Sequence, residues 1–137
     1  MINSENIIST KAARPVGPYP HSKKVGQFLF LSGIGPRQTE YDKEGNPTDK
    51  IPAEFSEQFI SVMQNLKTIL AESNLTLENL VDITVYLTDM KAYFKEFNEL
   101  YKKYFNEKTG PCRTTVEVNA LPTPIFVELK CMAYFYH

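Results

Sequence analysis

The sequence predicts an α+β fold in which two helices cover one face of a mixed sheet. Three observations predict it: the order strands, helix, strand, helix, strands; two segments with apolar residues at helical spacing; and a last strand with one fully apolar face. The chain has 137 residues, of which 42% are hydrophobic, so it can bury a core of its own. We expect residues 1–137 to form a single domain.

The first clear strand is predicted at residues 27–32, an apolar run that ends at Gly33. Because its central positions are all apolar, the pattern favours a strand that is covered on both faces. Residues 35–52 are polar and rich in Gly, Pro, Asn and Asp, which predicts a long loop or an irregular hairpin around residues 43–46. A connection of that length indicates a functional or mobile segment.

Two helices are predicted, at residues 53–73 and 91–105, with an alternating strand at residues 80–88 between them. Asn74 is a plausible end for the first helix. In that helix the apolar residues recur every three or four positions and form one stripe: Phe55, Phe59, Val62, Met63, Leu66, Ile69 and Leu70.

The chain closes with strands predicted at residues 113–119 and 125–136. Both faces of the last strand are largely apolar, and since two helices cover one face only, a homo-oligomer explains the other face best. If the intervening turn is centred between Leu121 and Pro122, Arg113 faces Lys130, and Glu128 is next along the same face. A slip of one residue places Glu128 on the opposite face.

Composition excludes several classes of function. The net charge of −1 argues against a nucleic-acid partner, and no apolar run approaches the ~20 residues of a membrane span. The first residues lack the pattern of a signal peptide, so we expect a cytoplasmic protein.

Cys112 and Cys131 lack metal-site spacing and are expected to be reduced rather than joined in a disulfide. The chain has no nucleophile elbow, phosphate-binding loop or dinucleotide fingerprint.

Arg113 and Glu128 are the residues with the greatest chemical potential, and each allows two interpretations. Arg113 opens an apolar strand, where it is either structural, as a partner of Glu117 or a charge at the strand edge, or grips a ligand carboxylate in a bidentate manner. Glu128 lies between Val127 and Leu129. It is either half of a salt bridge, to Arg113 or Lys130, or a carboxylate whose raised pKa suits acid–base catalysis.

Short motifs in a fixed order resemble the RidA family, also called YjgF-type reactive-intermediate deaminases, from about residue 14 to residue 134. Each motif is weak alone, but their order and spacing are specific. They are Gly17-Pro18-Tyr19, Phe30-Leu31-Ser32-Gly33, Val85-Tyr86-Leu87-Thr88-Asp89, Asn98, Pro111-Cys112-Arg113-Thr114-Thr115-Val116-Glu117-Val118, Leu121-Pro122 and Val127-Glu128.

The resemblance implies a chorismate-mutase-like fold and a homotrimer with three sites in the clefts between subunits. It also implies hydrolysis of 2-enamine or 2-imino acids to 2-oxo acids and ammonia, without a metal or an organic cofactor. The residues carried over are Arg113 for the substrate carboxylate, Glu128 for the attacking water, Gly33 and Thr115 for backbone groups, and Tyr19 and Asn98 for the cleft lining. The common pattern has Cys where Thr115 stands, so a thiol role is lost here while a backbone role survives.

Other local features look more like the 2-aminomuconate deaminase branch, whose substrate is a dicarboxylic enamine. They are Arg14-Pro15, Pro20-His21, Lys23-Lys24-Val25-Gly26, Arg37 and residues 109–115. A second carboxylate calls for a second cation, and Arg37 and His21 are the candidates. The alternatives are a solvated loop charge for Arg37 and a structural imidazole for His21. A non-catalytic trimeric module that binds ligands or regulates a partner through the same cleft is the main competing function. A ribonuclease or translation inhibitor is disfavoured by the absence of a basic, aromatic stripe.

Overall fold

The computed structural model describes residues 3–136, in which eight strands and two helices are formed. The strands are β1 (Ser4–Ile7), β2 (Ser22–Val25), β3 (Phe28–Leu31), β4 (Gln38–Tyr41), β5 (Pro47–Lys50), β6 (Leu80–Leu87), β7 (Cys112–Glu117) and β8 (Val127–Tyr134). The helices are α1 (Phe55–Ala71) and α2 (Met90–Tyr101). Two helices pack on one face of a mixed sheet, which confirms the predicted α+β class.

Six strands form the main sheet in the order β1-β2-β3-β8-β6-β7, and only the β6–β7 pair among them is parallel. The predicted pairing of the last two strands, with Arg113 opposite Lys130, is therefore wrong. β6 lies between those strands, and Arg113 shares a row with Ile83 of β6 and Cys131 of β8. The connection from β7 to β8 is a crossover past β6 and not a hairpin.

Alternation along β6 and β8 separates a covered face from an open face. Val127, Leu129 and Cys131 of β8 are buried under the helices, as predicted. Strict alternation along β6 would place Val81 on the same face as Ile83, Val85 and Leu87. A register shift between Leu80 and Asp82 places Leu80 in the core instead. Such bulges insert a residue and reverse the alternation beyond them.

The first helix buries the whole predicted stripe and, in addition, the polar side chain of Gln58. Gln58 is only 1% exposed, and both ends of its amide are satisfied. Its Nε2 donates to the Pro52 carbonyl at 2.9 Å, while its Oε1 accepts from the Phe126 amide at 2.8 Å. α1 ends at Ala71, and Asn74 follows with a left-handed φ of 58°, which fits the predicted stop.

The second helix is shorter than predicted and is fixed at its start by two carboxylates. Asp89 caps it by accepting from the Ala92 amide at 3.0 Å, and Glu117 of β7 accepts from the Met90 amide at 2.8 Å. Phe97 is fully buried and meets the Phe59 ring edge-on at 5.3 Å between ring centres. α2 is thereby held against both α1 and the edge strand β7.

The opposite face of the sheet is open within one copy of the chain. Phe28 and Phe30 of β3 remain 42% and 37% exposed, so the predicted cover on both faces of this strand is not met by the chain itself.

The hairpin alternative for residues 35–52 is confirmed by β4 and β5. Strands β1 and β2 had no prediction. Cys112 and Cys131 are free thiols, as predicted. None of the helices in residues 3–136 is long and apolar enough to span a membrane.

Candidate functional site

A cleft of about 60 Å³ opens beside the start of β8. Its walls are the segment from Ala13 to His21, the connection from Ser32 to Arg37, and the turn Pro122–Thr123 with Ile125. Five of the predicted site residues line it together: Tyr19, His21, Gly33, Arg37 and Glu128. Pockets for small molecules usually measure a few hundred Å³ or more, so this cleft is small for a ligand site.

Glu128 is the carboxylate that lines this cleft. Its half-buried carboxylate lies against Gly33, where an added Cβ would be only 2.8 Å from Oε1, so no larger residue fits there without moving the carboxylate. Burial raises the pKa of Glu128 above its usual range. Within residues 3–136 it forms no ion pair, and Lys130, two positions along the same face, donates instead to the Leu31 carbonyl. The Glu128 carboxylate is therefore available to interact with a ligand or water in the cleft.

Arg113 lies on the other face of the sheet. Glu128 shares a row with Tyr86 and the partly exposed Val116 on the open face, whereas Arg113 shares a row with the buried Ile83 on the helix face. Side chains of neighbouring residues on a strand point to opposite faces, so Arg113 and Val116 diverge. Within one copy, Arg113 and Glu128 cannot form a common site.

Thr115 and Asn98 belong to the Arg113 side of the molecule. Thr115 follows Arg113 by two residues on β7, and its hydroxyl is buried without a hydrogen-bond partner. Asn98 lies on α2, next to Phe97, whose ring contacts the Arg113 guanidinium. Neither residue lines the cleft around Glu128. The predicted site residues thus divide into two groups, five around Glu128 and three around Arg113.

Arg37 is a nearly buried cation in the cleft wall and not a solvated loop charge. Its side chain is 12% exposed, and its Nε is 3.6 Å from Asp49 Oδ2 without a hydrogen bond. Asp49 is already engaged by Arg14, at 3.0 Å, and by the Thr39 hydroxyl, at 2.7 Å. Burial raises the pKa of Asp49, but these hydrogen bonds and the two guanidinium groups outweigh it and lower the pKa overall. Two cations share one anion, which leaves an excess positive charge.

His21 has both ring nitrogens occupied by backbone groups. It is 5% exposed, its Nδ1 accepts from the Ser9 amide at 3.0 Å, and its Nε2 is 2.7 Å from the Ala13 carbonyl. An acceptor at Nδ1 and a donor at Nε2 define the neutral Nε2–H tautomer. His21 therefore anchors the N-terminal wall of the cleft, and the geometry favours Arg37 as the second cation.

Sequence reasoning missed two parts of this wall. Arg14 and Asp49 tie the β4–β5 hairpin to the N-terminal segment, and no local pattern signals an ion pair across 35 residues. Thr123 has a φ of 65°, a strained conformation for a β-branched residue. Its place between Pro122 and Pro124 marks an unusual turn but does not reveal its conformation.

The comparisons with known proteins agree over nearly the whole chain. The profile of the endoribonuclease L-PSP family matches residues 9–135. A RutC family protein of Pyrococcus abyssi is 38% identical over 130 residues, which cover 95% of this chain and 96% of that protein.

Two solved structures show the same architecture. RidA from the Antarctic bacterium Psychrobacter sp. superposes with a TM-score of 0.79 at 32% identity, covering 95% of this chain and 98% of its own. Escherichia coli TdcF with bound serine gives a TM-score of 0.79 at 30% identity, also covering 95% of this chain and 98% of its own. The 2-aminomuconate branch is not distinguished by these names. The matched profile, the identities and the shared fold together place this chain in the endoribonuclease L-PSP family, to which the RutC, YjgF and RidA proteins also belong.

Proposed function

We propose that this chain is a hydrolytic deaminase that converts 2-enamine and 2-imino acids to 2-oxo acids and ammonia. The observation that carries the proposal is the half-buried carboxylate of Glu128. It has no ion-pair partner within residues 3–136 and lies against Gly33 in a cleft. A carboxylate with a raised pKa can accept and return a proton near neutral pH. Membership of this family also favours enamine or imine deamination.

The complete site is shared between copies of the chain in a homotrimer. Arg113 and Glu128 lie on opposite faces of one sheet, and the open face carries exposed aromatic residues such as Phe28 and Phe30. A second copy packed on that face would cover these rings and bring its own Arg113 to the rim of the cleft. The guanidinium, which has no ion-pair partner in residues 3–136, would then bind the substrate carboxylate.

The chemistry needs few groups, because an imine carbon is already electrophilic. Arg113 orients the substrate through its carboxylate, and Glu128 takes a proton from water as the water oxygen bonds to the imine carbon. A solvent proton on the imine nitrogen makes the attack give a neutral tetrahedral carbinolamine. Glu128 then returns its proton to the nitrogen, the C–N bond breaks to release ammonia, and the carbinolamine hydroxyl loses its proton to solvent as it becomes the carbonyl of the 2-oxo acid. An enamine first tautomerises to the imine.

The finer substrate proposal is 2-aminomuconate, a dicarboxylic enamine. Its second carboxylate would bind at Arg37, which lines the cleft beside Glu128 and shares Asp49 with Arg14. Serine bound to Escherichia coli TdcF, a relative of the same fold, also carries a carboxylate. A monocarboxylic substrate would use Arg113 alone, so the loss of Arg37 should affect only dicarboxylic substrates.

The direct test is to generate 2-imino acids in situ with an amino-acid oxidase and to follow 2-oxo acid formation. We expect purified protein to accelerate hydrolysis and R113A to abolish the acceleration, whereas K102A, which removes an exposed cation just after α2, keeps it. Unchanged activity in R113A would refute the assigned role. Ligand binding without turnover across several imines would instead favour a non-catalytic binding or regulatory module.

A further inference from the structure

We infer that Tyr101, together with Phe97, is a positioning residue that holds the guanidinium of Arg113 on its aromatic ring and so presents it for carboxylate binding. The inference concerns the placement of Arg113, and its catalytic consequence rests on the proposed function. It goes beyond that function because it assigns a task to side chains of α2 that do not touch the reacting atoms.

The contacts are direct. The Arg113 Cζ lies 4.7 Å from the centre of the Tyr101 ring and 5.0 Å from the centre of the Phe97 ring. These two residues are one helical turn apart on α2, and their ring centres are 5.5 Å apart at an angle of 42°. A guanidinium within about 6 Å of an aromatic ring centre is attracted by the negative ring face. The two rings thus form a cradle under the cation.

The cradle itself is rigidly supported. Phe97 is fully buried and meets Phe59 of α1 edge-on, and Tyr101 packs on Phe105 with 4.8 Å between ring centres. Burial raises the pKa of the Tyr101 hydroxyl, with the Arg113 charge opposing the shift, so the phenol stays neutral and offers its ring rather than a phenolate. The guanidinium is consequently held by packing and not by an anion.

This arrangement has a chemical advantage for ligand binding. An arginine fixed by a carboxylate has its N–H donors occupied, whereas one stacked on rings keeps its edge free for a bidentate carboxylate. Within residues 3–136, Arg113 has no ion pair. The rings also remove much of the entropy that a long free side chain would lose on binding. Tyr101 therefore acts on carboxylate affinity through Arg113.

The experiment compares Y101L with Y101F, which keeps the ring, and with Y104L, which removes a nearby ring that contacts Lys67 and Phe59 instead of Arg113. Binding of 2-oxobutanoate is measured by calorimetry, and imine hydrolysis is measured kinetically. We expect Y101L to raise Kd and KM roughly three- to tenfold with kcat within twofold, while Y101F matches the wild type. If Y101L does not fold, Y101M keeps the side-chain length without the ring.

A second readout does not depend on ligand or turnover. In proton–nitrogen spectra the Arg113 Nε–H signal, assigned through R113K, should be shifted upfield by the rings in the wild type and in Y101F, and should return toward its free position in Y101L or Y101M. An unshifted wild-type signal, or a shift that keeps its full size in Y101L and Y101M, where only the Phe97 ring remains, would overturn the inference. A protein that passes this test but hydrolyses no imine would instead refute the proposed function.

Discussion

Mixing two inactive variants tests whether Arg113 and Glu128 act together across two copies of the chain. R113A keeps Glu128 in its cleft, and E128Q keeps Arg113 on the other face of the sheet. The two residues occupy opposite faces of the sheet, so in the proposed homotrimer each site would take its Arg113 from one copy and its Glu128 from another. Each variant alone should be inactive, since every one of its sites lacks one group.

The expected recovery follows from counting the combinations. In oligomers reassembled from equal amounts of the two variants, the Arg-side copy is E128Q in half of the sites, and the Glu-side copy is R113A in half. About a quarter of all sites then carry both wild-type groups, so activity should return to about a quarter of the wild-type value. The assay is imine hydrolysis after co-refolding, with native mass spectrometry to verify mixed oligomers.

The matched control is the double variant R113A/E128Q mixed with either single variant, which should recover nothing because no combination restores both groups. Absence of activity in verified mixed oligomers of the two single variants would refute the shared site. It would mean that Arg113 and Glu128 do not act at one site, since the sheet separates them within a single copy.

Two further predictions concern the pH dependence of Glu128 and the stability contributed by Gln58. Because burial raises the pKa of Glu128, kcat/KM should fall on the acid side with a midpoint above 4.5, the ordinary pKa of Glu. A midpoint at or below 4.5 would contradict a general base whose pKa is raised by burial. A raised pKa also means that ionised Glu128 lowers the stability of the folded state, and this loss of stability appears as pH rises through the folded pKa. At neutral pH, E128Q should therefore unfold at a higher denaturant concentration than the wild type, and in acid the difference should disappear. Q58L should lower the free energy of unfolding by about 2 kcal/mol, since it removes the partner of the partly buried Pro52 carbonyl and Phe126 amide. Urea unfolding that matches the exposed Gln64→Leu control would refute this.

Helix positions could be predicted from the sequence because their apolar stripes are strong. The seven stripe residues of α1 are all buried, and Asn74 adopts the left-handed conformation expected beyond a helix end. The short strands β1 and β2 were missed because Ser4–Ile7 and Ser22–Val25 have only four residues each and are mostly polar, so neither carries a clear apolar pattern.

Sheet topology is the part that local patterns could not supply. Strands that are adjacent in sequence usually pair, so β7 and β8 suggested a hairpin, yet β6 is inserted between them and pairs with both. The resemblance identified Arg113 and Glu128 as a pair of residues, but their separation on two faces depends on that insertion. The alternation of a strand indicates which residues share its face and not which strand lies beside it.

The open aromatic face has a consequence for how activity depends on the amount of protein. If the copies associate through Phe28, Phe30 and their neighbours, dilution below the dissociation constant of the oligomer separates the two halves of every site by mass action. Activity per chain would then decline steeply with dilution rather than stay constant, as it does for an enzyme whose site lies within one chain. Activity would then appear only above a threshold concentration of the chain, without a separate effector.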